Sequence, residues 1–275
     1  MKRKKISSKR VRIRLYVVLI LTGALVILSV LAPLFCPNDP DATSAAVMNH
    51  APCAQFPFGT DRYGRCICSR VLMGARTSIF SAVALVASTF FIGTFLGIIA
   101  GWFGGIVDAL VMRLADALLS FPQMVLAIAV AGILGGGMFN AMLAMGITGW
   151  TLYARLARAE VLSLKKEPYV QAAKLTGCNS ATIMIKTLLP NMMGPLIVNA
   201  ATQIGVMMIG IAGLSFLGIG VKDPQAEWGS MINLSRSYVQ LAPWAVMAPA
   251  IATIITVMIF NYLGDCIRDY LEVGA

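Results

Sequence analysis

Residues 77–107 read TSIFSAVALVASTFFIGTFLGIIAGWFGGIV and contain no Asp, Glu, Lys or Arg. An α-helix needs about 20 predominantly apolar residues to cross the hydrocarbon core of a bilayer. This stretch therefore predicts a membrane-spanning helix. Outside it, the sequence has four more long uncharged stretches, at 15–38, 117–154, 191–221 and 237–264. The pattern predicts an all-α polytopic membrane protein.

The composition supports the same class of protein. Of the 275 residues, 58% are hydrophobic and only 12% are charged, and the mean hydropathy is +0.80. Soluble domains carry about 25% charged residues, so the composition excludes a disordered chain and argues against an ordinary soluble enzyme. The net charge of +10 would suggest nucleic acid in a soluble protein. Here the basic residues lie near predicted span ends, where they set orientation, and we expect no nucleic-acid partner.

One uncharged stretch, 117–154, is too long for a single helix. Its sequence GILGGG at 132–137 is a glycine run, and such runs interrupt helices. Dividing the stretch there predicts six transmembrane helices, at about 15–35, 78–100, 107–131, 140–162, 193–219 and 244–266.

The distribution of Lys and Arg predicts the topology. The first 14 residues form a basic tail, which we expect to remain in the cytoplasm. Six spans then return the C-terminus to the cytoplasm. Segment 36–77 becomes external, although it holds four arginines, and residues 78–275 form a five-helix core with a cytoplasmic loop at 163–191. A cleaved signal peptide is the alternative for the N-terminus. The first apolar stretch exceeds the usual 7–15 residues, which favours an uncleaved span.

Within the cytoplasmic loop, residues 167–190 predict two short helices. Pro168 suits a first helical turn, Gly177 suits a left-handed cap, and Asn179 or Ser180 can cap a second helix. Pro190 is expected to separate that helix from the fifth span. Such a pair of helices would form a rigid projecting knob. A plain solvated loop is the alternative.

The residues of this loop carry a resemblance to a known family. Gln171-Ala172-Ala173, then Gly177, then Thr187-Leu188-Leu189-Pro190 resembles the EAA signature of permease subunits in binding-protein-dependent ABC importers. Other segments resemble the second, or "C"-type, permease of the dipeptide, oligopeptide and nickel subfamily over about residues 12–272. They are 58–65, 69–70, 74–76, Arg113, Asp116, 120–122, 214–221, 227–229, 261–265 and 268–269.

The resemblance implies a type I importer permease fold in the cytoplasmic membrane. It implies a second homologous permease, two ATP-binding subunits that carry ATP and Mg²⁺, and an extracytoplasmic solute-binding protein. It also implies that loop 167–190 couples the permease to the ATPases. The residues concerned are Glu167, Gln171, Ala172, Ala173, Gly177, Leu189 and Pro190. Gln171 stands where Glu is usual, Thr187 where a basic or apolar residue is common, and Cys66 where Asp often follows Gly-Arg.

No nucleotide site is expected on this chain, because the sequence has no Gly-x4-Gly-Lys-Ser/Thr run to hold phosphates. The chain should therefore bind no cofactor. The sequence also argues against a catalytic triad, since His50 is the only histidine and lies in an irregular external segment.

Several further residues are candidates for a role within or beside the spans. Arg113 and Asp116 are three apart on one helix face, and we expect a structural ion pair. Met207, Met208 and Ser215 of the fifth span are a candidate translocation path, with core packing as the alternative for the methionines. Four cysteines of the external segment are open to three interpretations, namely free thiols, disulfides or a metal contact: Cys36, Cys53, Cys66 and Cys68.

The sequence favours a transporter subunit over two other classes. An intramembrane enzyme would need clustered acids or histidines inside spans, and a passive channel would need no ATPase. The expected substrate is nickel, free or chelated, or small peptides, with a strictly di- or oligopeptide importer as the alternative. A metal site on the chain itself is not assigned.

Overall fold

The computed structural model describes residues 8–274, and the regular elements in that range are helical, apart from an isolated β-bridge between Thr60 and Cys66. The predicted basic tail lies outside this range up to residue 7. The α-helices are α1 Ser8–Val30, α2 Ala32–Phe35, α3 Ile67–Phe103, α4 Gly105–Leu119, α5 Gln123–Ile133, α6 Met138–Leu164, α7 Pro168–Leu175, α8 Ser180–Ile183, α9 Leu189–Phe216, α10 Trp228–Ser235 and α11 Pro243–Gly274.

Four helices in residues 8–274 are long and apolar enough to cross a membrane, namely Lys9–Val30, Ile67–Phe103, Ser180–Phe216 and Pro243–Glu272. The pair α4 and α5, bent by 86°, makes a fifth if it is one span. The all-α membrane class is therefore confirmed, whereas the count of six is not. The remaining predicted span is α6, whose 27 residues include Asn140, Arg155 and Arg158. These polar residues lower its hydropathy.

Two predicted helix boundaries were wrong. The third span is not one helix from 107 to 131, because the backbone turns at Ser120–Pro122 and Pro122 is extended there (ψ 125°). The first span ends at Val30, and a separate turn of helix follows it. Helix α3 begins at Ile67, so the last residues of the predicted external segment 36–77 form its first turns. Two of the four arginines of that segment, Arg65 and Arg70, are paired with carboxylates.

The predicted break at residues 132–137 is confirmed. Helix α5 ends at Ile133 and α6 begins at Met138. Gly135, Gly136 and Gly137 all have positive φ, between 69° and 99°, which side chains other than glycine rarely adopt. The amide of Gly137 donates to the carbonyls of Ile219 and Gly220. The turn is therefore held against the end of α9.

Helices α3 and α6 form the centre of the molecule through a stripe of glycines. Gly93, Gly97 and Gly101 follow one face of α3, and a Cβ at any of them would meet α6 at less than contact distance. Small residues at this spacing let two backbones approach closely within a membrane. Helix α6 is thereby fixed to α3, and the segment that follows α6 takes its position from that pair.

Candidate functional site

Residues 165–183 form a projecting knob between α6 and α9. Pro168 occupies the first turn of α7, Gly177 has φ of 79°, and the Asn179 side chain caps α8 by accepting from the Ala181 amide at 3.1 Å. These features agree with the short-helix prediction for this loop. The predicted helix break at Pro190 was wrong, because Ser180–Phe216 is one continuous helix.

A π-helical turn at Met184–Leu188 carries this helix past Pro190. The Leu189 amide bonds to the Met184 carbonyl, five residues back. A π turn shifts the hydrogen-bond pattern by one residue, and Pro190 lies in the first turn of α9, where its missing amide costs least. The knob therefore continues directly into the fifth predicted span.

Two buried side chains anchor the knob, Val170 and Ile183, and Leu188 of the π-helical turn is buried next to it; each is at most 1% exposed. The residues between Val170 and Ile183 are exposed or partly buried, and Leu175 at the tip is 89% exposed. Burying a leucine side chain lowers the free energy by about 1.5–3 kcal/mol, and a leucine left in water does not gain this stabilisation. The knob is therefore a firmly held element with an apolar tip that nothing in the described chain covers.

The knob is also fixed to the end of α3. Lys165 Nζ donates to the Trp102 carbonyl at 2.7 Å and to Gly101 at 3.2 Å, and Lys174 Nζ lies 4.7 Å from the centre of the Trp102 ring. The Gln171 amide donates to the Lys165 carbonyl at 2.6 Å. Burial, together with the charge of Lys174, lowers the pKa of Lys165. The sequence analysis did not identify Trp102, Lys165 and Leu175 as site residues. Trp102 lies two residues before Gly104, the glycine that ends α3, and this pattern could have indicated a contact at the helix end.

The residues predicted to couple the permease to the ATPases differ in their exposure to solvent. Glu167, Gln171, Ala172, Gly177 and Pro190 are exposed, whereas Ala173 and Leu189 are partly buried. Ala173 packs on the core cluster. Four of the exposed members, Glu167, Gln171, Ala172 and Gly177, lie on the knob together with Leu175, whereas Pro190 lies in α9.

The predicted pair between Arg113 and Asp116 is not formed. Asp116 instead accepts from Arg155 of α6 at 2.5 Å, and Asp108 accepts from Arg158 at 2.5 and 2.6 Å. Helical spacing places Arg113 on the same helix face as Asp116, but α6 offers a closer partner. The two pairs fix α4 to the end of α6 that leads into the knob.

At the opposite end of α3, a network of charges holds the 36–66 segment. Arg65 binds Asp61 at 2.7 Å and Asp223 at 2.8 Å, while Arg70, 1% exposed, binds Asp41 at 3.0 Å. Buried charges persist only when they are paired and hydrogen-bonded. This network joins the segment before α3 to the loop after α9.

Glu227 is fully buried beside this network and caps α10. Its carboxylate accepts from the Gly229 and Ser230 amides at 2.9 and 2.8 Å, and from the Ser78 hydroxyl at 3.3 Å. Burial raises the pKa of Glu227, and these hydrogen bonds oppose the rise. Ser215, predicted for the path, is buried and lies beside Glu227, accepting from the Val221 amide at 3.3 Å.

Met207 and Met208 are each 2% exposed and belong to the core cluster. The Met207 methyl lies against Gly149. Both side chains therefore pack between helices, and neither reaches a surface of this chain. The six cysteines carry free thiols, and residues 8–274 contain no group of three His, Cys, Asp or Glu side chains suited to a metal ion.

Comparison with known proteins places these features in context. Residues 93–274 match the family model described as "Binding-protein-dependent transport system inner membrane component". The dipeptide transport system permease protein of Alkalihalophilus pseudofirmus is 37% identical, over 92% of this chain and 84% of the relative. The nickel transport system permease protein of Escherichia coli K12 is 37% identical over 96% and 95%. The glutathione transport system permease protein of Pectobacterium atrosepticum is 40% identical over 82% and 75%.

Proposed function

This chain belongs to the family of binding-protein-dependent transport system inner membrane components, and we propose that it is the permease that translocates nickel, free or chelated, or small peptides. It is a multi-pass membrane transport subunit rather than an enzyme, and ATP hydrolysis belongs to separate ATPase subunits. The knob carries the proposal. It is firmly anchored, continuous with a 37-residue helix and exposes an uncovered apolar tip.

Coupling through the knob follows from its connections. Docking in an ATPase cleft would bury Leu175 and the exposed residues around it, from Glu167 to Gly177. Because α9 continues the knob and Trp102 ties it to α3, a displacement of the knob would move both helices as a rigid body. Leu189 and Pro190 are the residues through which the displacement would enter α9.

The orientation of the chain is part of the proposal. We place the knob and both termini in the cytoplasm. In support, Leu271 near the end of α11 lies against the start of α9 at Gly194, which places the end of α11 on the side of the knob. The partners are then a second homologous permease, two ATP-binding subunits holding ATP and Mg²⁺, and an extracytoplasmic solute-binding protein.

The substrate is proposed as a class. The relatives are named for dipeptides, glutathione and nickel, which supports nickel or small peptides for this chain. A strictly peptide-specific importer is the second candidate, supported by the relatives named for dipeptides and glutathione.

The first test measures uptake in cells that lack this chain. Labelled nickel, nickel with a chelator, and labelled alanyl-alanine are compared with and without the chain restored. We expect loss of at least one of the three. Unchanged uptake of nickel and peptide would contradict the proposal, and loss of the peptide alone would favour the second candidate.

The second test addresses the knob. Leu175→Ser is compared with Leu241→Ser, an equal change at a side chain 63% exposed at the other end of the molecule. If Leu175 is buried on docking, Leu175→Ser should lose about 1.5–3 kcal/mol of binding free energy. ATPase co-purification should then weaken at least tenfold and uptake should fall, whereas Leu241→Ser should change neither. Intact ATPase binding in Leu175→Ser would refute the docking role. Uptake that persists without ATPase subunits would indicate a passive channel.

A further inference from the structure

A groove of about 370 Å³ lies beside α3 at the end opposite the knob. Met73, Arg76, Thr77 and Phe80 line one wall, and this spacing places them on a single helix face. Asp41 and Gln225 line the other side. Ligand pockets in proteins span about 300–1,000 Å³, so the groove has the size for a small solute.

The groove lies where water can reach it. Helix α3 has 37 residues and is therefore about 55 Å long at 1.5 Å per residue, whereas the hydrocarbon core is about 30 Å thick. Part of α3 must extend beyond the hydrocarbon. The groove residues lie within the first four turns of the helix, and its charge-free stretch begins only at Thr77.

Arg70 fixes the two sides of the groove relative to each other. Its Nη1 donates to the Pro40 carbonyl at 3.1 Å and to Asp41 at 3.0 Å, and its Nη2 donates to the Pro224 carbonyl at 3.1 Å. The side chain is 1% exposed. The segment carrying Asp41 and the loop carrying Gln225 are thus held on one buried guanidinium, which gives the groove a preformed shape.

The charges around the groove are unevenly matched. The network of Arg65, Arg70, Asp41, Asp61 and Asp223 has two positive groups against three negative ones. Arg76, by contrast, forms no ion pair with any residue in the range 8–274 and is exposed. A free positive group therefore stands in the same groove as a carboxylate whose network has one excess negative charge.

We infer that this groove binds a small zwitterionic solute of about dipeptide size, with its carboxylate on Arg76 and its ammonium group beside Asp41. Guanidinium and carboxylate form two parallel hydrogen bonds, and the excess negative charge of the network attracts the ammonium group. A simple anion or cation would satisfy only one side. The inference rests on the proposed function and names the substrate class that the permease itself would recognise.

The direct test is photo-crosslinking in the assembled transporter. Phe80, 40% exposed in the groove, is replaced with p-benzoylphenylalanine and irradiated with tritiated alanyl-alanine and the solute-binding protein. The same replacement at Phe95, 64% exposed farther along α3, is the control. We expect a peptide adduct at 80 and none at 95. An adduct with the binding protein alone would make the groove a docking surface and overturn the inference.

Charge variants provide the second measurement. Arg76→Gln should lower the peptide adduct and the rate of alanyl-alanine uptake about tenfold, the loss expected for one charge-assisted pair. Lys222→Gln, exposed in the adjoining loop but outside the groove, should change neither. Equal uptake in the two variants would overturn the inference. A transporter that carries nickel but no dipeptide would overturn it and leave the proposed function standing, whereas one that carries neither would refute both.

Discussion

Replacing Gly97 with alanine tests the contact between α3 and α6 that positions the knob. A Cβ at residue 97 would lie 2.7 Å from the Ala157 Cβ and closer still to the Ala154 carbonyl oxygen. Carbon atoms pack at about 3.5–4.0 Å, so the two backbones would have to separate by about 1 Å. Gly93 and Gly101 make similar contacts on either side, which prevents the helices from pivoting about the new methyl group.

The expected cost follows from these distances. Overpacking costs about 1–3 kcal/mol, whereas Gly23→Ala, in the interior of α1 with nothing within 4 Å, should gain up to about 1 kcal/mol. Both variants gain the same helix propensity, so they should differ by the overpacking cost of about 1–3 kcal/mol. At about 2–4 °C per kcal/mol, Tm in detergent should differ by roughly 2–12 °C, and uptake by Gly97→Ala should fall as the knob shifts. Equal Tm values for the two variants would refute the close-packed interface.

The remaining predictions concern the two ends of the molecule. Asp108→Asn should destabilise the protein by about 1–3 kcal/mol, because the half-buried Arg158 loses one of its two acceptor oxygens and the negative charge that faces it. Asp116→Asn, at an exposed pair, should cost less than about 1 kcal/mol, and equal Tm losses would contradict this order. Burial raises the pKa of Glu227, so its stabilising contribution is present at low pH and declines as pH rises through the folded-state pKa. The Tm advantage of the wild type over Glu227→Gln should therefore shrink as pH rises above the ordinary glutamate pKa, and a growing advantage would refute it. Gly177→Ala should cost about 1–2 kcal/mol from backbone strain alone, since its φ is 79° and nothing lies within 4 Å, and a chain unable to fold would contradict this.

The sequence predicted features that depend on local chemistry. Pro168, Gly177 and Asn179 act through their own backbone or the next turn, and each has the predicted position. The glycine run before α6 is a local signal of the same kind. The membrane class follows from composition, which needs no knowledge of packing.

Features that depend on distant partners were not predictable in this way. Asp116 lies within reach of Arg113 along its own helix, and only the fold brings Arg155 closer. The pairing of Arg65 and Arg70 with Asp41 and Asp223 likewise joins segments that are distant in the sequence. The burial of Met207 depends likewise on Gly149 of another helix.

The unbroken helix from Ser180 to Phe216 fixes the rotational phase between the knob and the far end of α9. Each residue of an α-helix turns the chain by about 100°. One inserted or deleted residue after Pro190 would turn the whole face around Ser215 away from α10, while the knob stayed in place. An insertion of four residues turns that face by only about 40°, but it lengthens the helix by about 6 Å. The length of this segment should therefore tolerate no change, in contrast to the loop at 48–58, whose ends are free of such phasing.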